Sequence, residues 1–243
     1  MSALLEVRGL SKQFGGLRAV QELSFDVQEG EILGLIGPNG AGKTTTFNLI
    51  AGFYRPDRGS VLFQGAQLAG RKPYAICRQG VARTFQVARP FGSMTVLGNV
   101  TTGGLAHPTS VAAAERRAAE LLELVGLTDK AHALARDLTT IDQRRLEVAR
   151  ALGTQPKLLM LDETMAGLSP TEADVAVGLV RSLRQRGLTL IVVEHVMRAM
   201  LALADRIVVM DHGQKIAEAT PQEALNDPRV VEAYLGTALK HAS

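Results

Sequence analysis

The chain has 243 residues, of which 46% are hydrophobic and 21% charged, with a formal net charge of +3. That composition excludes an intrinsically disordered chain, and the absence of a short repeat excludes collagen and coiled coil. So small a charge, with 4% aromatic residues and no Trp, gives no footing for a nucleic-acid partner. The lone Cys77 can form no internal disulfide. Glu6 and Arg8 interrupt the stretch where a signal peptide needs unbroken apolar residues. Apolar runs such as Leu158–Leu161 and Ile207–Met210 span four residues, against the ~20 that cross a bilayer. The protein is therefore expected in the cytosol, with any membrane role peripheral.

In chain order, Leu4–Arg8 and Leu23–Val27 read as strands of an antiparallel edge, and Glu31–Ile36 as a buried strand followed by a helix over Thr44–Ile50. Ser60–Phe63 is a further strand. Between about Val87 and Thr154 the β signal disappears, and Ser110–Leu127 is an Ala-, Glu- and Arg-rich helix closed by Gly126 at C′. Strand character returns at Leu158–Leu161, Thr189–Val193 and Arg206–Val209, with a helix over Pro170–Arg186. A turn at Asp211–Gln214 and a short strand near Ile216 follow. Alternating strands and helices predict an α/β protein with a largely parallel sheet. We expect one domain over residues 1–243, with a core of residues 1–86 and 155–243 and an inserted helical subdomain of residues 87–154.

After the strand ending at Ile36 comes Gly37-Pro38-Asn39-Gly40-Ala41-Gly42-Lys43-Thr44-Thr45, which fits the phosphate-loop pattern G-x-x-x-x-G-K-[ST] between a strand and a helix. Its glycines let successive N–H groups turn inward around an anion, and the helix N-terminus adds positive potential. Lys43 supplies a mobile cation and Thr44 a hydroxyl for Mg²⁺. The apolar strand Leu158–Leu161 ends in Asp162-Glu163, two carboxylates at the edge where open α/β sheets bind ligands. Asp162 suits Mg²⁺ ligation and Glu163 suits polarising a water in line with a γ-phosphate. A third strand ends in Glu194-His195, which places His195 to contact the γ-phosphate. His107, His132, His212 and His241 read as solvated surface.

In this order the motifs resemble the ATP-binding subunit of ABC transporters along nearly the whole chain. The resemblance implies a P-loop NTPase (RecA-like) core with an antiparallel β edge and an inserted α-helical subdomain, an ATPase that takes ATP and Mg²⁺. It implies an adenine-stacking role for Phe14, contact of Gln86 with Mg²⁺ and the attacking water, and the switch-histidine role for His195. Arg83-Thr84-Phe85-Gln86, Gln143 to Leu152, Ala166-Gly167-Leu168-Ser169-Pro170 and the tail Val230 to Gly236 are similar to the branched-chain amino acid importer subgroup. The tail is expected to leave no room for the regulatory domain of sugar-importer relatives.

The resemblance further implies a homodimer, or a heterodimer with a related ATP-binding subunit, on the cytoplasmic face of the membrane. Permease subunits are its direct partners and a solute-binding protein an indirect one. Phe91, Met94, Val96 and Leu97 are expected to receive a short permease helix. The family signature Leu-Ser-Gly-Gly-Gln is replaced by Leu138-Thr139-Thr140-Ile141-Asp142. Thr139, as N-cap of a capping box, and Thr140 keep a helix N-terminus for the opposite subunit's nucleotide, while Asp142 is expected to bring negative charge toward it. Thr164 replaces the proline usual after the catalytic glutamate, and Ser169 an aspartate. The alternatives are a non-hydrolysing nucleotide-sensing subunit and a soluble ABC ATPase; about 95 residues without heptads between Lys43 and Leu138 speak against a chromosome-handling type.

Overall fold

A computed structural model describes residues 3–86, 88–194 and 197–240. The chain opens with a long hairpin, β1 (Ala3–Phe14) and β2 (Leu17–Gln28), then enters the central sheet as β3 (Ile32–Ile36), followed by helix α1 (Lys43–Ile50). Next come β4 (Arg58–Phe63), β5 (Ala66–Gln67), α2 (Pro73–Arg78) and β6 (Val81–Arg83). The helices α3 (Val96–Gly104), α4 (Val111–Leu124) and α5 (Thr140–Gly153) are inserted before β7 (Leu158–Asp162). The remainder alternates: α6 (Pro170–Gln185), β8 (Thr189–Val193), α7 (Met197–Leu203), β9 (Arg206–Asp211), β10 (Gln214–Ala219), α8 (Pro221–Asn226) and α9 (Pro228–Lys240).

A six-stranded sheet runs β10-β9-β3-β8-β7-β6, and a four-stranded sheet runs β2-β1-β4-β5. In the first, every pairing is parallel except the β9–β10 hairpin; in the second, all are antiparallel. Parallel strands buried on both faces need continuous apolar sequence, and their alternate side chains divide between two cores. Leu33, Leu35, Met160, Ile191 and Val208 face α1 and the antiparallel sheet. Ile32, Ile36, Leu161, Val192 and Ile207 face the helices on the other side. This is the expected P-loop NTPase architecture with its antiparallel edge.

The hairpin exceeds its sequence expectation because each strand continues through irregular register to twelve residues. Strand β6 was not foreseen: three residues carry no periodicity. The short helices α2 and α8 and the terminal α9 were not foreseen either. The helix expected from Ser110 starts at Val111 with the Ser110 hydroxyl accepting from Ala113 N–H, and Gly126 takes φ 71° just past its end. At the far edge, the β9–β10 turn is His212-Gly213, both with positive φ, as a two-residue hairpin turn requires. This turn also binds elsewhere. Gly213 N–H donates to Ala41 O (3.0 Å), and Gln21 N–H to Gly213 O (2.8 Å).

Within the helical insertion, α3 and α5 cross where Gly103 meets Gly153. A Cβ on Gly103 would collide with the carbonyl oxygen of Arg150, and one on Gly153 would lie 2.9 Å from that of Val100. Backbone is the obstacle, so no rotamer relieves it. Gly103→Ala should cost about 1–3 kcal/mol, read as a lowered midpoint of denaturant unfolding.

Candidate active site

The carboxyl ends of β3, β7 and β8 lie along one edge of the parallel sheet, so the residues that follow them gather at one cleft. After β3 the chain turns back on itself at Gly37, where a Cβ would strike the carbonyl oxygen of Met210, and it enters α1 through Gly42 at φ 100°, where a Cβ would strike that of Ala19. Neither position admits another residue without moving backbone. Asn39 to Thr45 line the cleft, of about 590 Å³, together with Gln86 and Glu163. Gly37 and Pro38 lie buried beneath it.

Lys43 is buried, and its Nζ donates to the carbonyls of Gly37 (2.7 Å) and Pro38 (3.0 Å). Burial pulls the ammonium below its ordinary pKa, and the charges of Glu163 and Asp162 oppose that shift. Asp162, the last residue of β7, is 1% exposed; its Oδ2 is ion-paired with Arg83 Nη2 at 3.0 Å, and its backbone N–H donates to Thr84 Oγ1. Glu163 adopts φ 51°, a left-handed conformation costly for a side-chain-bearing residue and concentrated at functional sites. It thereby faces the loop, and Gln86 Nε2 donates to its Oε2 at 2.7 Å. Glu194 turns to the segment after Glu163, where Met165 N–H donates to its Oε1 at 2.7 Å.

The residues present suit a magnesium–polyphosphate ligand. Among the described residues no group of three His, Cys, Asp or Glu could hold a metal alone, whereas Mg²⁺ with a nucleotide takes its oxygens mainly from phosphate and water plus one or two protein groups. Thr44 and Gln86 line the cleft and carry oxygens of that kind, while the Asp162 carboxylate lies buried outside the cleft lining against Arg83.

Other sequence expectations divide. Phe14 does not line the cleft; its ring sits edge-to-face with Tyr54, centroids 5.1 Å apart, with Lys12 Nζ 5.4 Å away. Leu17, Arg18 and Ala19 occupy that wall instead. His212, read from sequence as solvated, is exposed but stands at the mouth, and His107 is tied to Thr154 O at 2.9 Å. His195 lies outside the described residues. Thr139 and Thr140 are exposed and do not line this chain's own cleft. Ser169 caps α6 in a reciprocal box with Glu172, and Thr164 lies on the wall of an apolar pocket between α5 and α6.

Asp142 departs from its expected role. Thr139 caps α5 by accepting from Asp142 N–H (3.2 Å), and the Asp142 carboxylate accepts hydrogen bonds from the Thr139 hydroxyl (2.9 Å) and Lys130 Nζ (2.5 Å). Arg145 is 3.8 Å away. The carboxylate is buried and neutralised inside the lobe, not aimed outward. Arg83, Glu147 and Arg150 escaped the sequence reading as well. Arg83 bridges Asp162 and Asn48 Oδ1 (2.7 Å) and packs on Phe47, Phe53 and Phe85.

Comparison with known proteins agrees with this geometry. The ABC transporter family matches residues 20–166, and the chain belongs to it as an ATP-binding cassette. The branched-chain amino acid ATP-binding cassette transporter family matches residues 214–240. The high-affinity branched-chain amino acid transport ATP-binding protein LivG of Escherichia coli is 43% identical over 97% of this chain and 98% of its own length. BraF of Pseudomonas aeruginosa, of the same description, is 40% identical over the same shares. The ADP conformation of an ATP-binding cassette of an ABC transporter aligns with a TM-score of 0.87 and 32% identity, over 97% of this chain and 100% of that one.

Burial opposes ionisation of Asp142, but hydrogen bonds from Lys130 and Thr139, with the charges of Lys130 and Arg145, hold its carboxyl below the usual range. A depressed folded pKa gives stability that is present above the unfolded value of ~3.9 and fades as pH falls through the lower folded value. Asp142→Asn should therefore lower the Tm at neutral pH, with the gap to the parent closing below about pH 4.

Proposed function

We propose that this chain binds Mg²⁺–ATP in the cleft and hydrolyses it to drive an importer of branched-chain or other hydrophobic amino acids. The 2.7 Å bond between Gln86 and Glu163, across the cleft that also holds Lys43 and Thr44, carries the reading. The amides of the loop and Lys43 bind the β- and γ-phosphates. Thr44, Asp162 and Gln86 hold Mg²⁺, which when bound neutralises developing phosphate charge. Glu163 accepts the proton of a water that Gln86 helps to orient. His195 is assigned to the γ-phosphate by its motif alone. Phe14 is assigned to the adenine edge, which requires its ring to trade Tyr54 for the base.

Two cassettes, identical or related, complete each site, because the Thr139 helix N-terminus is exposed and remote from its own chain's cleft lining. Its anion-binding capacity is not cancelled by Asp142, whose charge Lys130 holds. This favours a hydrolysing subunit over a nucleotide sensor. Among the described residues no helix is long and apolar enough to cross a membrane, so permease subunits provide the passage and the cassette sits peripherally at its cytoplasmic face. The groove for them is lined by Phe53, Tyr74, Phe85, Phe91 and Met94 and encloses about 580 Å³. Val96 is fully buried and Leu97 partly buried against the core cluster, and neither lines this groove.

In the assembled transporter, Glu163→Gln should slow phosphate release by about 10²–10⁴-fold while ATP still binds; turnover close to the parent's would remove Glu163 as the base. Charging the groove with Phe91→Asp should abolish co-purification of the permease subunits and leave equilibrium ATP binding intact, since Phe91 lies outside the nucleotide cleft.

A further inference from the structure

Helix α5 carries a buried carboxylate that the site as described does not use. Glu147 is 5% exposed, and the backbone amides of Phe85 and Arg89 temper the cost of its charge. Its Oε1 has no hydrogen-bond partner among the described residues, and Arg150 Nη2 stands 3.8 Å from it. Arg150, one turn further along α5, donates from Nη1 to the carbonyl of Arg89 (3.0 Å), and its guanidinium lies 5.2 Å from the centre of the Phe91 ring. Two side chains of one helix thus bear on the Arg89 backbone, Arg150 through a hydrogen bond to its carbonyl and Glu147 through its buried charge. Burying a carboxylate with so few partners is unfavourable compared with an apolar residue of the same size, and burial pushes its carboxyl up to about 7. A purely structural position would favour Leu or Met; this position grips a loop.

We propose that Glu147 is a positioning residue for ATP hydrolysis: it fastens Phe85 and Arg89, and through Phe85 the adjacent Gln86, to the helix whose N-terminus carries Thr139. Gln86 follows Phe85 directly and is three residues from Arg89, so its reach to Glu163 is set by where α5 stands. The same two clamp residues, Glu147 and Arg150, line the groove beside Phe91 and Met94. A permease segment seated there would bear on the clamp, a consequence that rests on the reading given under Proposed function.

The test is made in the assembled transporter with Glu147→Ala, Glu147→Gln and Arg150→Met. Glu147→Ala should lower kcat by about tenfold or more, as small misplacements of catalytic groups do, with the KM for ATP within about twofold of the parent. Glu147→Gln keeps one acceptor oxygen and should recover part of the loss; Arg150→Met should repeat it. Amide hydrogen exchange in residues 85–89 should accelerate in Glu147→Ala while that of the phosphate loop is unchanged. Unaltered exchange there, or a raised KM with kcat preserved, overturns the proposal. If Glu147→Ala fails to fold, the Gln and Met variants carry the same readouts. Parent-like turnover in Glu163→Gln would instead strike the hydrolytic reading, and the exchange result would still decide whether Glu147 holds the loop.

Discussion

Lys43 occupies the position on which the site turns. Burial disfavours its charge, and two loop carbonyls that accept from its Nζ, with the charges of Glu163 and Asp162, oppose that penalty. The cage exists because glycine lets the chain pass against the backbone of Met210 and Ala19 at Gly37 and Gly42, and because the parallel sheet delivers Asp162 and Glu163 from the end of a different strand. A loop of the right sequence on a flexible chain would collect no carboxylates. The sheet fixes the partners before any ligand arrives, which is the sense in which the site is preorganised.

Much of this was legible in the sequence for a plain reason: the decisive features are local. A phosphate loop is a run of nine residues from Gly37 to Thr45, and the central strands are continuous apolar runs because both their faces are buried. What stayed hidden was long-range pairing. Asp142 looked like a charge aimed at phosphate because it ends the stretch that replaces the family signature; Lys130, twelve residues earlier, decides the matter. Strand β6 is too short to show a period, so Arg83 gave no sign that it would lie beside Asp162. Phe14 lies outside the cleft lining, and Tyr54, forty residues later, decides what its ring touches. Helix α8 was readable and overlooked: Thr220-Pro221 followed by Glu223 is a capping box with proline at the first helical position.

The helical insertion has its own logic. Its helices α3 and α5 meet at a glycine-to-glycine crossing that brings backbones together more closely than side chains allow, and one of its surfaces forms a wall of the apolar groove. Close crossings transmit displacement with little loss, because tightly packed backbone has nowhere to yield. The lobe's ties to the core include apolar packing, in which Leu146, Val148 and Leu152 share one cluster with Leu159, Leu161 and Met165, and the hydrogen bond from Arg144 Nη1 to Ala166 O.

The turn at His212-Gly213 has a consequence for the order in which the protein comes apart. It joins the last hairpin to the first through Gln21 and to the phosphate loop through Ala41, so residues nearly two hundred positions apart share one cooperative unit of opening. Partial unfolding that begins at the carboxyl-terminal edge must release the nucleotide cradle as it proceeds. By linkage, whatever occupies the cradle also raises the free energy of fraying at that edge, and the resistance of the C-terminal hairpin to proteolysis becomes a gauge of nucleotide occupancy.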